Sequence, residues 1–252
     1  MGESVRIYRL RSLLILLIIA LCHPCFSQFN DSTHYYFSYA STGSINKTNA
    51  GNSYLLSNFL KFNISKDKIE VNTNNSWVYG QQQATVTNND YSSSLDFNYL
   101  KNQQRLYYWG LLNYDISYSL KINNRFQGGL GIAYSFVNTK NAHLIISDGF
   151  LYETGDLIDP ELGNVVYNTF RNSLRIKFRW DIKDELIVID GSDFYQPSLS
   201  SGTDYVIKSN TNLHIKIKKW LSFTTSITYN RLSLNSRENL LITYGLRAEK
   251  YF

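Results

Sequence analysis

Arg171, Arg175, Lys177 and Arg179 alternate along Asn168 to Trp180 with Phe170, Leu174, Ile176, Phe178 and Trp180. A strand turns successive side chains to opposite faces, so the four cations and Ser173 form one ridge and the apolar residues form the other. Such a ridge can hold or steer an anion through water. Lys208, Lys216 and Lys218, and then Arg247, continue this basic wall further along the chain, while Glu70, Asp96 and Asp115 carry the opposite sign on strands expected near the other side. Two readings stay open. The charges form mutually satisfied ion pairs that fill a narrow interior, or they set a transverse field across a water-filled pore that favours anions.

Covalent chemistry is weaker in this sequence. A serine–histidine nucleophile needs both side chains within hydrogen-bond reach. His143 and Ser147 stand four apart, roughly 13 Å on a strand. Ser32 and His34 have the closer spacing but fall at a strand end. His214, among Lys208, Lys216 and Lys218, reads as an interior side chain, and no catalytic residue is assigned. Asp156, Asp159 and Glu161 share a polar segment that could hold calcium, although three acids in such a loop are more often simply solvated. No metal ligand and no cofactor are expected.

The elements that carry the ridge repeat its alternation. Leu95, Phe97 and Tyr99, then Tyr108, Leu112, Tyr114 and Ile116, then Leu130, Ile132 and Tyr134, and finally Ile242, Tyr244, Leu246 and Ala248 alternate with Asp96, Asn98, Asp115, Gly129, Gly131, Arg247 and Glu249. About twelve strands with this pattern and no helical segment between them need a common apolar surrounding outside and a polar space inside. A transmembrane antiparallel up-and-down β-barrel meets both demands. The chain is 43% hydrophobic with 20 Tyr, and its mean hydropathy is −0.28. Barrels carry that signature, with tyrosines at the membrane rims. Longer connections at Gly43 to Asn52, Gln81 to Asn89 and Thr154 to Tyr167 are expected on the outer side, where a surface binding module could use the first and the last. Asp148 is out of step, facing lipid if Leu144 and Ile146 do, and a bulge near Gly149 would restore it. On this reading Arg175→Leu leaves assembly nearly intact or disturbs only interior pairing.

Residues 1 to 27 read as an export signal. Arg6, Arg9 and Arg11 precede an apolar run from Leu13 to Leu21, too short to span a bilayer as a helix, and Cys25 and Ser27 suit the cleavage positions. The mature barrel, residues 28 to 252, then carries 22 Lys and Arg against 19 Asp and Glu. A net charge of about +3 is too mild to argue for nucleic acid. Cys22 and Cys25 leave with the signal. The destination is the bacterial outer membrane, with its lipids and the barrel-assembly machinery as partners and a small solute as candidate ligand.

Gly128 to Phe136 (GGLGIAYSF), Asp193 to Leu199 (DFYQPSL) and the run from Asp204 through Ile217 to Leu221 resemble segments of the YdiY-like, salt-induced outer-membrane proteins, a group of unknown function. The resemblance covers roughly Tyr91 to Phe252. It implies an outer-membrane barrel and names no ligand. The reading that follows from residues and resemblance together is a structural or small-solute, anion-leaning channel, with a lipid-active enzyme as the rival class.

Overall fold

The computed structural model describes residues 34–48, 51–101, 104–183 and 185–252, so the expected signal lies outside the described residues. The strands are β1 (Tyr35–Thr48), β2 (Gly51–Lys66), β3 (Ile69–Gln82), β4 (Thr85–Tyr99), β5 (Leu106–Ser117), β6 (Ile122–Asn138) and β7 (Ala142–Asp159). They continue with β8 (Gly163–Asn172), β9 (Leu174–Ile182), β10 (Ile187–Pro197), β11 (Tyr205–Lys218), β12 (Leu221–Leu232) and β13 (Arg237–Tyr251). β8 and β9 are two halves of one spanning strand interrupted at Ser173, and both pair with β7. β1 pairs with β13, from Tyr36 opposite Tyr251 to Gly43 opposite Tyr244. The ring therefore closes as a twelve-strand antiparallel barrel, leaving no unpaired edge for an apolar surrounding to meet.

Alternation decides which side chains face out. Leu95, Phe97, Tyr108, Leu112, Leu130, Ile132, Ile242 and Leu246 are exposed on the outer wall, while Asp96, Asn98 and Asp115 are buried within. Aromatic residues gather towards the strand ends, with Tyr35 stacked on Phe252 and Phe178 against Trp180 at the end that bears the termini. Trp77 with Tyr79 and Tyr195 with Tyr205 sit towards the far end. These are the rims expected where apolar chains meet headgroups.

Connections are tighter than the sequence suggests. Gln83 and Ala84 both take positive φ, 47° and 64°, closing β3 onto β4 in a two-residue turn. The segments expected as long loops are strand instead: β1 continues to Thr48, and β7 runs to Asp159 before β8 begins at Gly163. Ser44, Asn46 and Thr48 hid the β1 extension and Gly155, Asp156 and Asp159 that of β7, because beyond an apolar belt a hairpin has no need of an apolar face.

The expected bulge near Gly149 is absent. Pairing of β6 with β7 is regular from Ala133 opposite Ser147 to Phe126 opposite Thr154, with irregularities only near Ile122 and Ser135. Asp148 therefore points outward. Gly131 and Gly149 face each other across this pair because the Trp109 ring lies over both: a Cβ would come within 2.7 Å of the ring at Gly131 and 2.6 Å at Gly149.

Ile176→Arg, which places a cation on the outer wall towards the middle of the spanning strand formed by β8 and β9, is expected to destabilise the barrel by roughly 2 to 4 kcal/mol in lipid vesicles. Denaturant unfolding of the reconstituted protein measures it, and an unchanged midpoint would reverse the assignment of faces.

Candidate functional site

The interior is layered from the far end to the terminal end. At the far mouth, Leu120, Ile122, Leu157, Val206 and Leu232 pack into an apolar plug with Val165, Tyr167 and Leu234 against it. Two turns from opposite sides of the ring deliver it. Asn235 Nδ2 donates to the Leu120 carbonyl at 2.8 Å and Asn239 Nδ2 donates to Ser119 Oγ at 2.9 Å. Asp90 fixes the first turn by accepting from the Ser119 amide and from the hydroxyls of Ser117 and Ser119. Beneath the plug is a cavity of about 220 Å³ whose lining includes Ser92, Asp115, Lys208, Asn210 and Thr243.

Beside the plug the wall has a seam. β10 ends at Pro197, and above Ser173 the only ladder contact between β8 and the strand beyond it is a bridge from Arg171 to Ser198. Arg171 seals that seam with its side chain. It is fully buried and donates to Glu153 Oε1 at 2.9 Å, to both oxygens of Asp204 at 2.9 and 3.0 Å, and to the Gln196 carbonyl at 3.3 Å. Tyr167 Oη and Gln127 Nε2 complete the shell of Glu153.

Ten of the eleven charged residues singled out in the sequence, all but Lys218 at the end of β11, form ion pairs inside the barrel, some of them with one another. Arg175 on β9 reaches Asp96 on β4 at 2.9 Å, and Lys208 on β11 reaches Asp115 on β5 at 2.9 Å. These pairs join strands four and five places apart in the ring, so they cross the lumen. Asp115 also holds Arg125, which the sequence had not marked, at 2.6 Å. Arg175 is buried, donates to Ser147 Oγ at 3.0 Å and lies over the rings of Trp109 and Phe194. Towards the terminal end Glu70 pairs with Lys101, Arg179 with Asp181, Lys216 with Glu185, and Arg247 with Glu249. The expected two separate walls are thus replaced by interlocked pairs. Full burial in paired charges is seen at Arg171 and Arg175.

It does not hold for the whole lumen. Lys177, Arg179, Lys101 and Lys208 expose 35%, 32%, 28% and 24% of their side chains, whereas the carboxylates they contact, Asp96, Asp181, Glu70 and Asp115, expose 7%, 3%, 10% and 8%. In these four pairs short acids sit back against the wall and long cations stand over them, whereas Lys216 and Glu185, and Arg247 and Glu249, are equally exposed and Asp190 is more exposed than His214. Lys61, an inward residue of β2 that sequence reasoning missed, is exposed to the lumen, and no carboxylate of the described residues comes within 4.0 Å of its amine. Asp190, Arg247, Arg179 and Glu249 surround it at longer range. Its signal was available: Lys61 alternates with the outward Leu60 and Phe62.

Hydrolytic groups do not assemble. Ser147 is tied to Arg175, and His143 Nδ1 lies 3.0 Å from Asn138 Oδ1. His214 bridges Asp190 at 2.9 Å and Thr224 at 2.8 Å in the order of a proton relay, but Thr224 is 2% exposed and out of a substrate's reach. Asp159 caps its own turn by accepting from the amides of Glu161 and Leu162.

Correcting the sequence expectation, Arg175→Leu removes the nearer cation of the buried Asp96 and leaves it only Lys177 at 3.5 Å, which is expected to cost about 3 kcal/mol. Lys177→Gln, at a half-exposed amine 3.5 Å from the same carboxylate, should cost about 1 kcal/mol or less. Unfolding midpoints of the two variants in vesicles make the comparison, and equal values would contradict the layered interior.

Comparison with solved structures gives the NanC porin at TM-score 0.50 and 10% identity, covering 85% of this chain and 99% of that one. The translocator domain of the autotransporter NalP from Neisseria meningitidis follows at TM-score 0.45 and 11% identity, covering 98% and 97%. An outer-membrane channel from Pseudomonas putida F1 aligns at 0.46 and 10%, covering 90% and 98%. At these identities the likeness to NanC concerns the fold alone. No curated protein matches the chain. Residues 43–239 match the family described as protein of unknown function, DUF481. The match spans most of the barrel, from the β1 hairpin to the start of β13, and the chain belongs to that family.

Proposed function

We propose that this protein is a small-solute channel of the bacterial outer membrane, with its termini on the periplasmic side, that favours anions and is closed at its outer mouth by the apolar plug. The observation that carries the reading is the unequal exposure of paired charges. In four of the interior ion pairs the cation is turned towards lumen water and the carboxylate towards the wall. Near-neutral pairing therefore still gives a positive inner surface, and Lys61 adds a charge that no neighbouring acid cancels at contact range. Long-range fields in a narrow low-dielectric passage concentrate the counter-ion. Apolar constrictions in turn close channels by excluding water, and Leu120, Ile122, Leu157, Val206 and Leu232 form one. The outer-membrane address rests on the closed barrel with an even strand count and rimmed apolar belt.

A second reading, a surface binding module, is favoured by Ile45, Leu162 and Val166, which stand 82%, 78% and 76% exposed on the β1 to β2 and β7 to β8 hairpins.

Planar-bilayer recording tests the channel. The native protein should show small, intermittent conductance, and Leu157→Ser with Leu232→Ser should raise it by wetting the plug. Reversal potentials in a salt gradient should show chloride preferred over potassium, with the preference falling in Lys61→Gln/Lys177→Gln and weakening as ionic strength rises. A folded plug variant that passes no ions would end the channel reading and leave the exposed hairpins as the place to look.

A further inference from the structure

Carboxylates have little reason to stand on a lipid-facing wall, where charge is costly and generally functional. Asp148 nevertheless points outward on β7 between Ile146 and Phe150, opposite the exposed Ile132 of β6. Asp193 points outward on β10, opposite Ile176. Among the described residues these are the only two carboxylates within the apolar belt. Other outward polar groups satisfy themselves, as Ser93 does by donating to Asn75 at 2.8 Å. Asp148 is satisfied at one oxygen only: Asn172 Nδ2 donates to Oδ1 at 2.8 Å, and Oδ2 has no donor among the described residues. On β11, Ser209 donates to Asp193 at 2.6 Å, and the outward hydroxyl of Thr211 has no partner among the described residues.

Depth and order around the ring make these groups complementary. Asp148 lies six residues above the terminal end of β7 at Ala142, and Thr211 seven above that of β11 at Lys218. They therefore sit at similar heights, on strands flanking β9 and β10. A two-fold axis along the membrane normal through β9 and β10 would place the β7 edge of one barrel against the β11 edge of another. Each free Asp148 oxygen would then face a free Thr211 donor, twice over, as a closed isologous contact requires.

We propose that the outer face of β7, β9, β10 and β11 is the interface between two copies of this chain. The polar patch is desolvated against its own mirror rather than against lipid, and the apolar residues around it, Ile176 among them, form the rest of the contact. This inference depends on the membrane setting but not on conduction, so a closed or ion-tight barrel would leave it standing.

Cysteine cross-linking in outer-membrane vesicles tests it, since Cys22 and Cys25 both precede the expected cleavage point. Ile176→Cys, near the axis, should form disulfide-linked dimers on mild oxidation. Leu60→Cys, outward on β2 at the opposite side of the ring, should not. In the Ile176→Cys background, Asp148→Leu/Asp193→Leu makes the face lipid-like and should abolish the dimer band. Heat-dependent gel mobility verifies that each variant is folded. Equal cross-linking at both positions, persistence of the dimer in the double leucine variant, or an adduct whose mass is not twice the chain would each overturn the proposal.

Discussion

Backbone satisfaction in an apolar surrounding is the constraint on which the rest of this structure depends. A strand that faces lipid must find every ladder partner in a neighbouring strand, so the sheet must close. Closure in turn traps half of all side chains inside. Twelve strands make an interior too narrow for bulk water throughout, and the chain fills it with two apolar clusters, one around Trp109 and one at the far mouth, and with charge pairs that cross the lumen. Arg171 shows how closely the two demands are joined. Where β10 ends and the ladder to β8 fails, its guanidinium supplies donors to a backbone carbonyl and two carboxylates, doing with a side chain what strand pairing does elsewhere.

Side-chain length then turns structure into a property of the lumen. Aspartate and glutamate are short and bond close to the wall; lysine and arginine reach them from farther out and keep part of their surface towards the centre. A lumen assembled from equal numbers of both can still present a positive inner surface. That asymmetry is set by geometry rather than by net charge, which is why a composition near neutrality says little about what a barrel interior offers to a solute.

Strand existence, order and facing were legible in the sequence because alternation of period two survives every local irregularity. Leu95 to Tyr99 and Tyr108 to Ile116 needed no structure to be assigned outward. Boundaries at the far end were not legible, because the extensions to Thr48 and Asp159 lie beyond the apolar belt and carry no alternation to read. Nor was the pairing of the charges. Facing fixes which side a residue is on, but Asp96 finds Arg175 across 79 positions of sequence, a contact that depends on barrel circumference and stagger. The plug escaped notice for a related reason: Leu120, Ile122, Leu157 and Leu232 each look like ordinary strand-end residues until the ring brings them to one mouth.

Asp148 is the position at which sequence logic and structure diverge most instructively. Its misfit with Leu144 and Ile146 suggested a bulge that would turn it inward, which assumes that the outer wall must be wholly apolar. Regular pairing with β6 instead leaves it facing out. A carboxylate retained there indicates that this arc of the wall does not meet only lipid. The inner and outer polar groups then obey one rule: inside, charges find partners across the lumen of a single barrel, and outside, where Asn172 satisfies only one oxygen of Asp148, the proposed second copy supplies the partner for the other.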